Sequence, residues 1–284
     1  MNIGINGINI KGDKKKTLIR LVEILERKKF KIFYSDTLNK SFSKTTYPNI
    51  NKKNISIIDY VISFGGDGTL LNTVSLIGKS ETKILGVNVG KLGFLSYDVS
   101  EVFEQIIEEI IRSNYTLEKR SLVSISNKKD IIKNNFALNE ISVIKKDSSS
   151  MIKIHCYINN KFICTYWSDG LIISTPTGST GYSLSCGGPI LTPDTKNLII
   201  TPISPHNLSL RSIIISDNSK IKLKIENQGY NFLVSMDSRS YTFKGEQELI
   251  IKRAPFKANL IHPNNFDFFA TLRKKLNWGF DLRN

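Results

Sequence analysis

The stretch Tyr60–Leu71, YVISFGGDGTLL, constrains this chain most. Val61, Ile62, Ser63 and Phe64 form an apolar, β-branched run that reads as a buried strand. Gly65-Gly66-Asp67-Gly68 breaks it. A second apolar run follows, Leu70, Leu71, Val74, Leu76 and Ile77, at roughly helical spacing, and Thr69 is a suitable N-cap for that helix. A strand, a glycine turn and a helix start together make an anion site. Glycine tolerates φ > 0 and lets a phosphate approach the backbone, and the first helical N–H groups face the incoming charge. A carboxylate inside such a cradle makes sense if it has chemistry of its own. Asp67 is therefore expected to hold magnesium or to take a proton from a hydroxyl that attacks the phosphate. The competing reading is a plain tight turn, since Gly and Asp are ordinary turn residues.

The first third of the chain alternates strands and helices. Asn2–Ile5 suits a short strand, Leu18, Leu21, Val22 and Leu25 mark one face of a helix, and Phe30–Tyr34 suits a second strand. The polar run from Asp36 to Ile55 reads as a loop. Ile84–Gly90 reads as another buried strand, closing on Gly90-Lys91-Leu92-Gly93-Phe94, and Val99, Val102, Phe103, Ile106, Ile107 and Ile110 as the apolar face of a further helix. This order predicts a Rossmann-like parallel sheet covered on both sides, with ligands bound at the carboxyl ends of its strands, where Asp67 falls.

After about Leu117 the period changes. Strand candidates follow one another: Leu122–Ser126, Phe136–Ile144, Ile152–Ile158, Phe162–Tyr166, Leu171–Ser174, Leu198–Ile203, Ser212–Ser216, Ile221–Ile225, Phe232–Met236 and Leu249–Lys252. Asn159-Asn160 and Asp217-Asn218 read as hairpin turns. Lys220–Ile225 alternates lysine with isoleucine or leucine, as a half-solvated antiparallel strand does. The expected organisation is an α/β domain over residues 1–117 and about 265–284, with an all-β, sandwich-like domain over 118–264. A helix within Phe266–Trp278 is expected to return to the first domain.

Composition narrows the function classes. At 284 residues with 40% apolar content, one large or two medium domains with a sizeable core are affordable only by burying strands like these. No apolar run approaches the 18 residues of a membrane span, and the N-terminus lacks the layout of a signal peptide. Cys156, Cys164 and Cys186 are too few and too irregular for a disulfide framework or a zinc site, so a reducing cytoplasm is expected. The balance of 40 Lys+Arg against 25 Asp+Glu gives +15, but the basic residues are scattered and no nucleic-acid motif accompanies them. A basic enzyme with polyanionic substrates fits; a nucleic-acid or membrane partner is not expected.

Two further stretches carry information. Asn139-Glu140 places polar groups inside a strand-like run. Ser168–Pro189 is dense in Gly, Ser and Thr directly after an apolar strand, and such hydroxyls and amides suit a ribose, a pyrophosphate or an adenine edge. Taken in order, Gly65-Gly66-Asp67-Gly68-Thr69, Asn139-Glu140, Asp169-Gly170, Thr175-Pro176-Thr177-Gly178-Ser179-Thr180 and Gly187-Gly188-Pro189 resemble the NAD kinases. The first motif alone is shared with diacylglycerol-type lipid kinases and, loosely, with phosphofructokinases; the long Thr-Pro-Thr-Gly-Ser-Thr stretch is much more specific.

The resemblance implies transfer of the γ-phosphoryl group of ATP, or of inorganic polyphosphate in some relatives, to the 2′-hydroxyl of NAD's adenosine ribose. It implies magnesium arriving with ATP, a homo-oligomer, and an α/β domain joined to a β-rich one. Asp67 would be the base, within a phosphate loop of Gly65, Gly66, Gly68 and Thr69. Gly68 and Asn72 would lie beside the dinucleotide. Asn139 and Glu140 would hold the adenosine end, and Asp169 the nicotinamide end, across a subunit contact. Thr180, Gly181, Tyr182, Ser183, Leu184 and Ser185 would supply hydroxyls and a ring, and Ser204 a backbone contact. Ser150, Trp167 and Arg239 are weaker transfers; many members place Gln near Arg239 and Ala at Gly181. His206 suits either a ligand contact or a structural loop. Two other classes stay open: a lipid or small-molecule kinase sharing the Gly-Gly-Asp turn, and a non-catalytic dinucleotide or nucleic-acid binder.

Overall fold

Strands that are apolar along their whole length form the first compact unit, which comprises Met1–Lys119 and Ala258–Asn284. A computed structural model of the chain describes residues 1–8, 10–42, 47–88, 93–98, 103–127, 132–146, 150–226, 231–262 and 266–280. In this unit β1 (Asn2–Gly7), β2 (Lys31–Tyr34), β3 (Tyr60–Phe64), β4 (Lys83–Asn88) and the two-residue β5 (Tyr97–Asp98) are parallel. The order is β2-β1-β3-β4, and β4 pairs further with Asn259–Ile261 through its first half and with β5 through its second. Every residue of β3 is buried, as expected of a strand with both faces covered.

Helix α1 (Asp13–Arg27) buries Leu18, Leu21, Val22, Ile24 and Leu25, the predicted stripe and one residue more. Ser35 caps the short α2 (Asp36–Asn39) inside the stretch expected to be a loop, its hydroxyl accepting from the Leu38 amide at 3.3 Å. Helix α3 (Asp67–Ile77) follows the glycine turn. In α4 (Phe103–Ile111) the apolar face is Phe103, Ile106, Ile107 and Ile110. The expectations for Val89–Leu92, Val99 and Val102 lie outside the described residues. Phe268–Leu276 is a helix within the second segment of this unit, capped by the Asp267 carboxylate.

In the second unit, Arg120–Lys257, the strand pairs of described register are antiparallel. Its strands are β6 (Thr116–Asn127), β7 (Phe136–Ala137), β8 (Glu140–Lys145), β9 (Ile152–Ile158), β10 (Lys161–Ser168), β11 (Gly170–Ser174), β12 (Asn197–Ile203), β13 (Ile213–Ser216), β14 (Ile221–Glu226), β15 (Asn231–Met236), β16 (Arg239–Lys244) and β17 (Gln247–His262). One sheet runs β10-β9-β14-β17, with β6 on β17 and β7 on β6; the other runs β13-β12-β11-β8-β15-β16. Ile152, Cys156, Ile221 and Leu249 from the first pack with Ile141, Val143, Leu171 and Val234 from the second in one core, the arrangement of a sandwich.

Of three local expectations one holds and two change. Asn159-Asn160 does make a tight β9–β10 hairpin, with φ of 50° and 66°. Asp217-Asn218 does not make a hairpin: β13 pairs with β12 while β14 pairs with β9 and β17. The turn instead passes the chain from one sheet to the other, and the Asp217 carboxylate bonds to Arg253 at 3.0 Å. The last strand is far longer than Leu249–Lys252, because Arg253-Ala254-Pro255-Phe256-Lys257 interrupts the alternation but not the extended backbone.

Candidate active site

The glycine turn is shaped by one demanding position and two open ones. Gly65 has φ of 152°, its amide donates to the Val87 carbonyl at 2.8 Å, and a Cβ there would lie 2.4 Å from the Thr69 hydroxyl. Only glycine fits. At Gly66 and Gly68 a Cβ would meet nothing within 4 Å. The fold makes no steric demand for glycine at these two, so the open space reads as room left for a ligand to approach the backbone. Helix α3 begins at Asp67 with Gly66 as its N-cap, three residues before the expected cap. The Thr69 amide already bonds to the Gly66 carbonyl at 2.9 Å, so Thr69 is a first-turn residue rather than the cap.

Asp67 is the first residue of that helix, and its carboxylate is held by a distant turn. It accepts from the amides of Phe94 (2.8 Å) and Leu95 (3.0 Å) and from the Ser96 hydroxyl (3.1 Å). A carboxylate offers about four acceptor positions. Two of these donors meet Oδ1 and one meets Oδ2, which leaves an acceptor position on Oδ2. The turn itself leaves no slack: a Cβ on Gly93 would lie 2.1 Å from Asp67 Oδ1, and one on Gly86 2.3 Å from the Leu95 carbonyl oxygen. Asn72, one turn further along α3, accepts from the buried Asn6 amide at 3.1 Å.

In the second unit a buried carboxylate organises the polar residues. Asp237, with φ of 52° in the β15–β16 turn, accepts the amides of Leu138 (2.9 Å), Asn139 (2.9 Å) and Glu140 (3.3 Å). This explains the break between β7 and β8: those amides serve Asp237 rather than a neighbouring strand. The Asn139 carbonyl accepts from the Thr175 amide at 2.8 Å, and the Thr175 hydroxyl donates to the Leu138 carbonyl at 2.5 Å. The backbone of Leu138–Glu140 is thereby fixed, yet the side-chain atoms Asn139 Oδ1 and Glu140 Oε2 are buried with no hydrogen-bond partner. Buried polar atoms of that kind call for an absent ligand or water. Gly181 borders them, with a Cβ position 3.4 Å from Glu140 Oε2 and 3.5 Å from Asn139 Nδ2.

Burial, with the Asp237 carboxylate close by, pushes the Glu140 carboxyl up to about 8. Burial also raises Asp237, against the pull of its three amides and Arg239. Glu140 therefore keeps its proton in the folded protein over a range where the unfolded chain releases it. The stability this contributes is complete below the ordinary glutamate range and is lost as pH rises through about 8. We expect the melting temperature to fall between pH 5 and pH 8.5, and Glu140→Gln to flatten that slope in a thermal-shift series; an unchanged slope would contradict it.

The Ser168–Pro189 stretch spends most of its hydroxyls on itself. Thr177–Thr180 is a single 3-10 turn and Tyr182–Ser185 a short helix, α5. Ser179 bonds to the Pro176 carbonyl (2.7 Å) and receives the Leu191 amide, and Ser183 is buried against Thr201 at 2.9 Å. Thr180 bonds back to the Thr177 carbonyl at 3.4 Å. Tyr182 and Ser185 are exposed and Leu184 half-buried. The Tyr182 phenol is raised by burial, with Cys186, Asp169 and Glu140 around it, which puts Asp169 and Glu140 on one neighbourhood. Asp169 pairs with Lys145 at 2.6 Å, and its amide donates to the Ile203 carbonyl, one residue before the exposed Ser204 with φ of 44°. Trp167 and His206 stack at 4.6 Å. Ser150 is exposed. The Arg239 guanidinium is already engaged, donating to the carbonyls of Asn134 and Phe136 and lying over the Phe136 ring. Asp237 and the Gly93–Ser96 turn were missed as site elements because each acts from 27 or more residues away; their own sequence signals, a glycine and an Asp-Ser turn, are generic.

Among the described residues no group of three or more His, Cys, Asp or Glu side chains could hold a metal. Among the described residues no helix is long and apolar enough to cross a membrane.

Comparison with known proteins places these features. The ATP-NAD kinase N-terminal domain family matches residues 8–115, and the ATP-NAD kinase C-terminal domain family matches residues 138–263. An NAD kinase of Flavobacterium psychrophilum is 48% identical over 250 residues, which cover 87% of this chain and 85% of the relative. A yeast NADH kinase complexed with NADH shares the fold at a TM-score of 0.87 and 23% identity, covering 99% of this chain and 89% of that one. An NAD kinase from Archaeoglobus fulgidus in complex with ATP matches at 0.79 and 25% identity, covering 98% and 99%.

Proposed function

Because the chain belongs to the NAD kinase family, we propose that it transfers the γ-phosphoryl group of ATP to the 2′-hydroxyl of NAD's adenosine ribose, giving NADP and ADP. The observation that carries the assignment of roles is the Asp67 carboxylate, fixed by three donors at the start of α3 with one acceptor position left over.

The ribose hydroxyl is unactivated. Asp67 takes its proton as the oxygen attacks the γ-phosphorus and ADP departs, a contribution of about 10²–10⁴ in rate. The free amides at the start of α3 and the open backbone at Gly66 and Gly68 receive phosphate charge. ATP enters as a substrate with its divalent metal, which neutralises phosphate charge. Asn139 Oδ1 accepts from a donor of the adenosine moiety, and Glu140, carrying its proton near neutrality, can donate as well as accept toward the ribose. Tyr182 and Asp169 border the same dinucleotide. Gly65 and Thr69 shape the loop and its helix; Asn72, Thr180, Gly181, Leu184, Ser185 and Ser204 line the dinucleotide, with Ser183 supporting that stretch from beneath through its hydroxyl on Thr201 and with Ser150, Trp167 and Arg239 as weaker contacts. We assign the enzyme to the cytoplasm, in keeping with three free thiols, and to a homo-oligomer as in the family.

The test is incubation of the pure protein with ATP, magnesium and NAD, read by an NADP-dependent dehydrogenase, with polyphosphate replacing ATP in a second arm. NADP formation is expected; none with either donor would overturn the reading. In the same assay Asn139→Ala is expected to weaken NAD by about tenfold, the worth of one buried hydrogen bond, with kcat little changed.

A further inference from the structure

The turn that aims Asp67 is itself tied to a hydrogen-bonded side-chain relay, centred on a buried histidine, that the catalytic scheme does not use. Tyr97 follows Ser96 directly and pairs in register with Val87 on β4. Its hydroxyl meets His262 Nδ1, and His262 Nε2 meets Glu118 Oε2 at 2.6 Å. One tautomer satisfies both neighbours: Nε2–H donates to the Glu118 carboxylate and Nδ1 accepts from the Tyr97 hydroxyl. His262 is 1% exposed. The Phe266 ring stacks on the imidazole at 4.5 Å and meets the Tyr97 ring edge-on at 5.2 Å. From the following helix, the Lys275 ammonium lies 5.8 Å from the centre of the Phe94 ring. His262 and Phe266 at Tyr97, and Lys275 at Phe94, therefore flank both sides of the turn that donates three hydrogen bonds to Asp67.

We propose that His262, braced by Glu118 and acting through Tyr97, is a positioning residue for the Asp67 carboxylate. The inference rests on the reading of Asp67 as the general base. Buried polar groups of this kind are satisfied only in one arrangement, so the chain selects a single position for Tyr97 and hence for the Phe94–Ser96 donors. A base is effective only within hydrogen-bond reach of the proton it takes, and a displacement of about 1 Å can cost about 100-fold. Tyr97, His262 and Glu118 act on orientation alone, without touching the substrate.

Tyr97→Phe keeps the ring against Phe266 and removes only the hydroxyl; His262→Gln is the companion variant. Both are expected to lower kcat about 10- to 100-fold with the KM values for NAD and ATP within about threefold of wild type. For Tyr97→Phe the melting temperature stays near that of wild type. In an Asp67→Asn background the same substitutions are expected to change turnover by less than about twofold, since there is no longer a base to aim. If His262→Gln does not fold, Tyr97→Phe carries the test. A folded Tyr97→Phe enzyme with wild-type kcat overturns the proposal, and so does an equal further loss in the Asp67→Asn background. Failure of the underlying reading looks different: Asp67→Asn alone then turns over as fast as wild type.

Discussion

Asp67→Asn is expected to lower turnover by about 10²–10⁴ while NAD still binds. The substitution keeps the size and the first-turn position of the side chain but removes the group that takes the proton. Of the two atoms that replace the carboxylate oxygens, the amide nitrogen can no longer accept from Phe94, Leu95 or Ser96, so the turn loses donors' partners as well. The loss should appear in kcat rather than in the apparent affinity for NAD, the role proposed above for Asn139 and Glu140. Turnover within a few-fold of wild type in the coupled assay, alongside normal NAD binding by calorimetry, would remove Asp67 from the role of base and leave it only a structural one.

Gly178→Ala is the second large effect. A Cβ there would sit 2.3 Å from the Asn139 carbonyl oxygen and 2.5 Å from its carbon. Those atoms are backbone, and the same carbonyl already accepts from the Thr175 amide. Neither partner can swing aside, so Asn139 must shift. Overpacking of this kind costs about 1–3 kcal/mol. A fall in melting temperature and a raised KM for NAD are expected together, because the displaced residue carries one of the two orphaned side-chain oxygens. Gly66→Ala is the control: its φ is −79° and its Cβ would meet nothing, so the fold should not register it. Equal melting temperatures for Gly178→Ala and wild type would contradict the packing argument.

The two architectures were legible because their periods differ. Fully buried runs such as Val61–Phe64 and Ile84–Val87 signal a parallel sheet, and the alternation of Lys220–Ile225 signals an antiparallel one. The strand, glycine turn and helix around Asp67 were legible because each is local. What holds Asp67 was not. Phe94, Leu95 and Ser96 reach it from 27 to 29 positions away, and nothing in their composition announces that task. Asp237 reaches Leu138–Glu140 from 97 to 99 positions away and breaks a run that reads as a single strand. The hydroxyls of Ser174, Thr175, Ser179 and Ser183 read as ligand donors because of their density, yet buried backbone carbonyls take the first three and the Thr201 hydroxyl the fourth. Asp217-Asn218 shows the same limit: turn chemistry is local, but which strand the chain pairs with next is not.

The most direct measurement is the position of the ribose 2′-oxygen in a crystal of the protein with NAD bound. The account predicts that oxygen within hydrogen-bond reach of Asp67 Oδ2, about 2.6–3.2 Å, with the Phe94, Leu95 and Ser96 donors still in place. A 2′-oxygen well beyond that reach, with another hydroxyl or none facing Asp67, would contradict it.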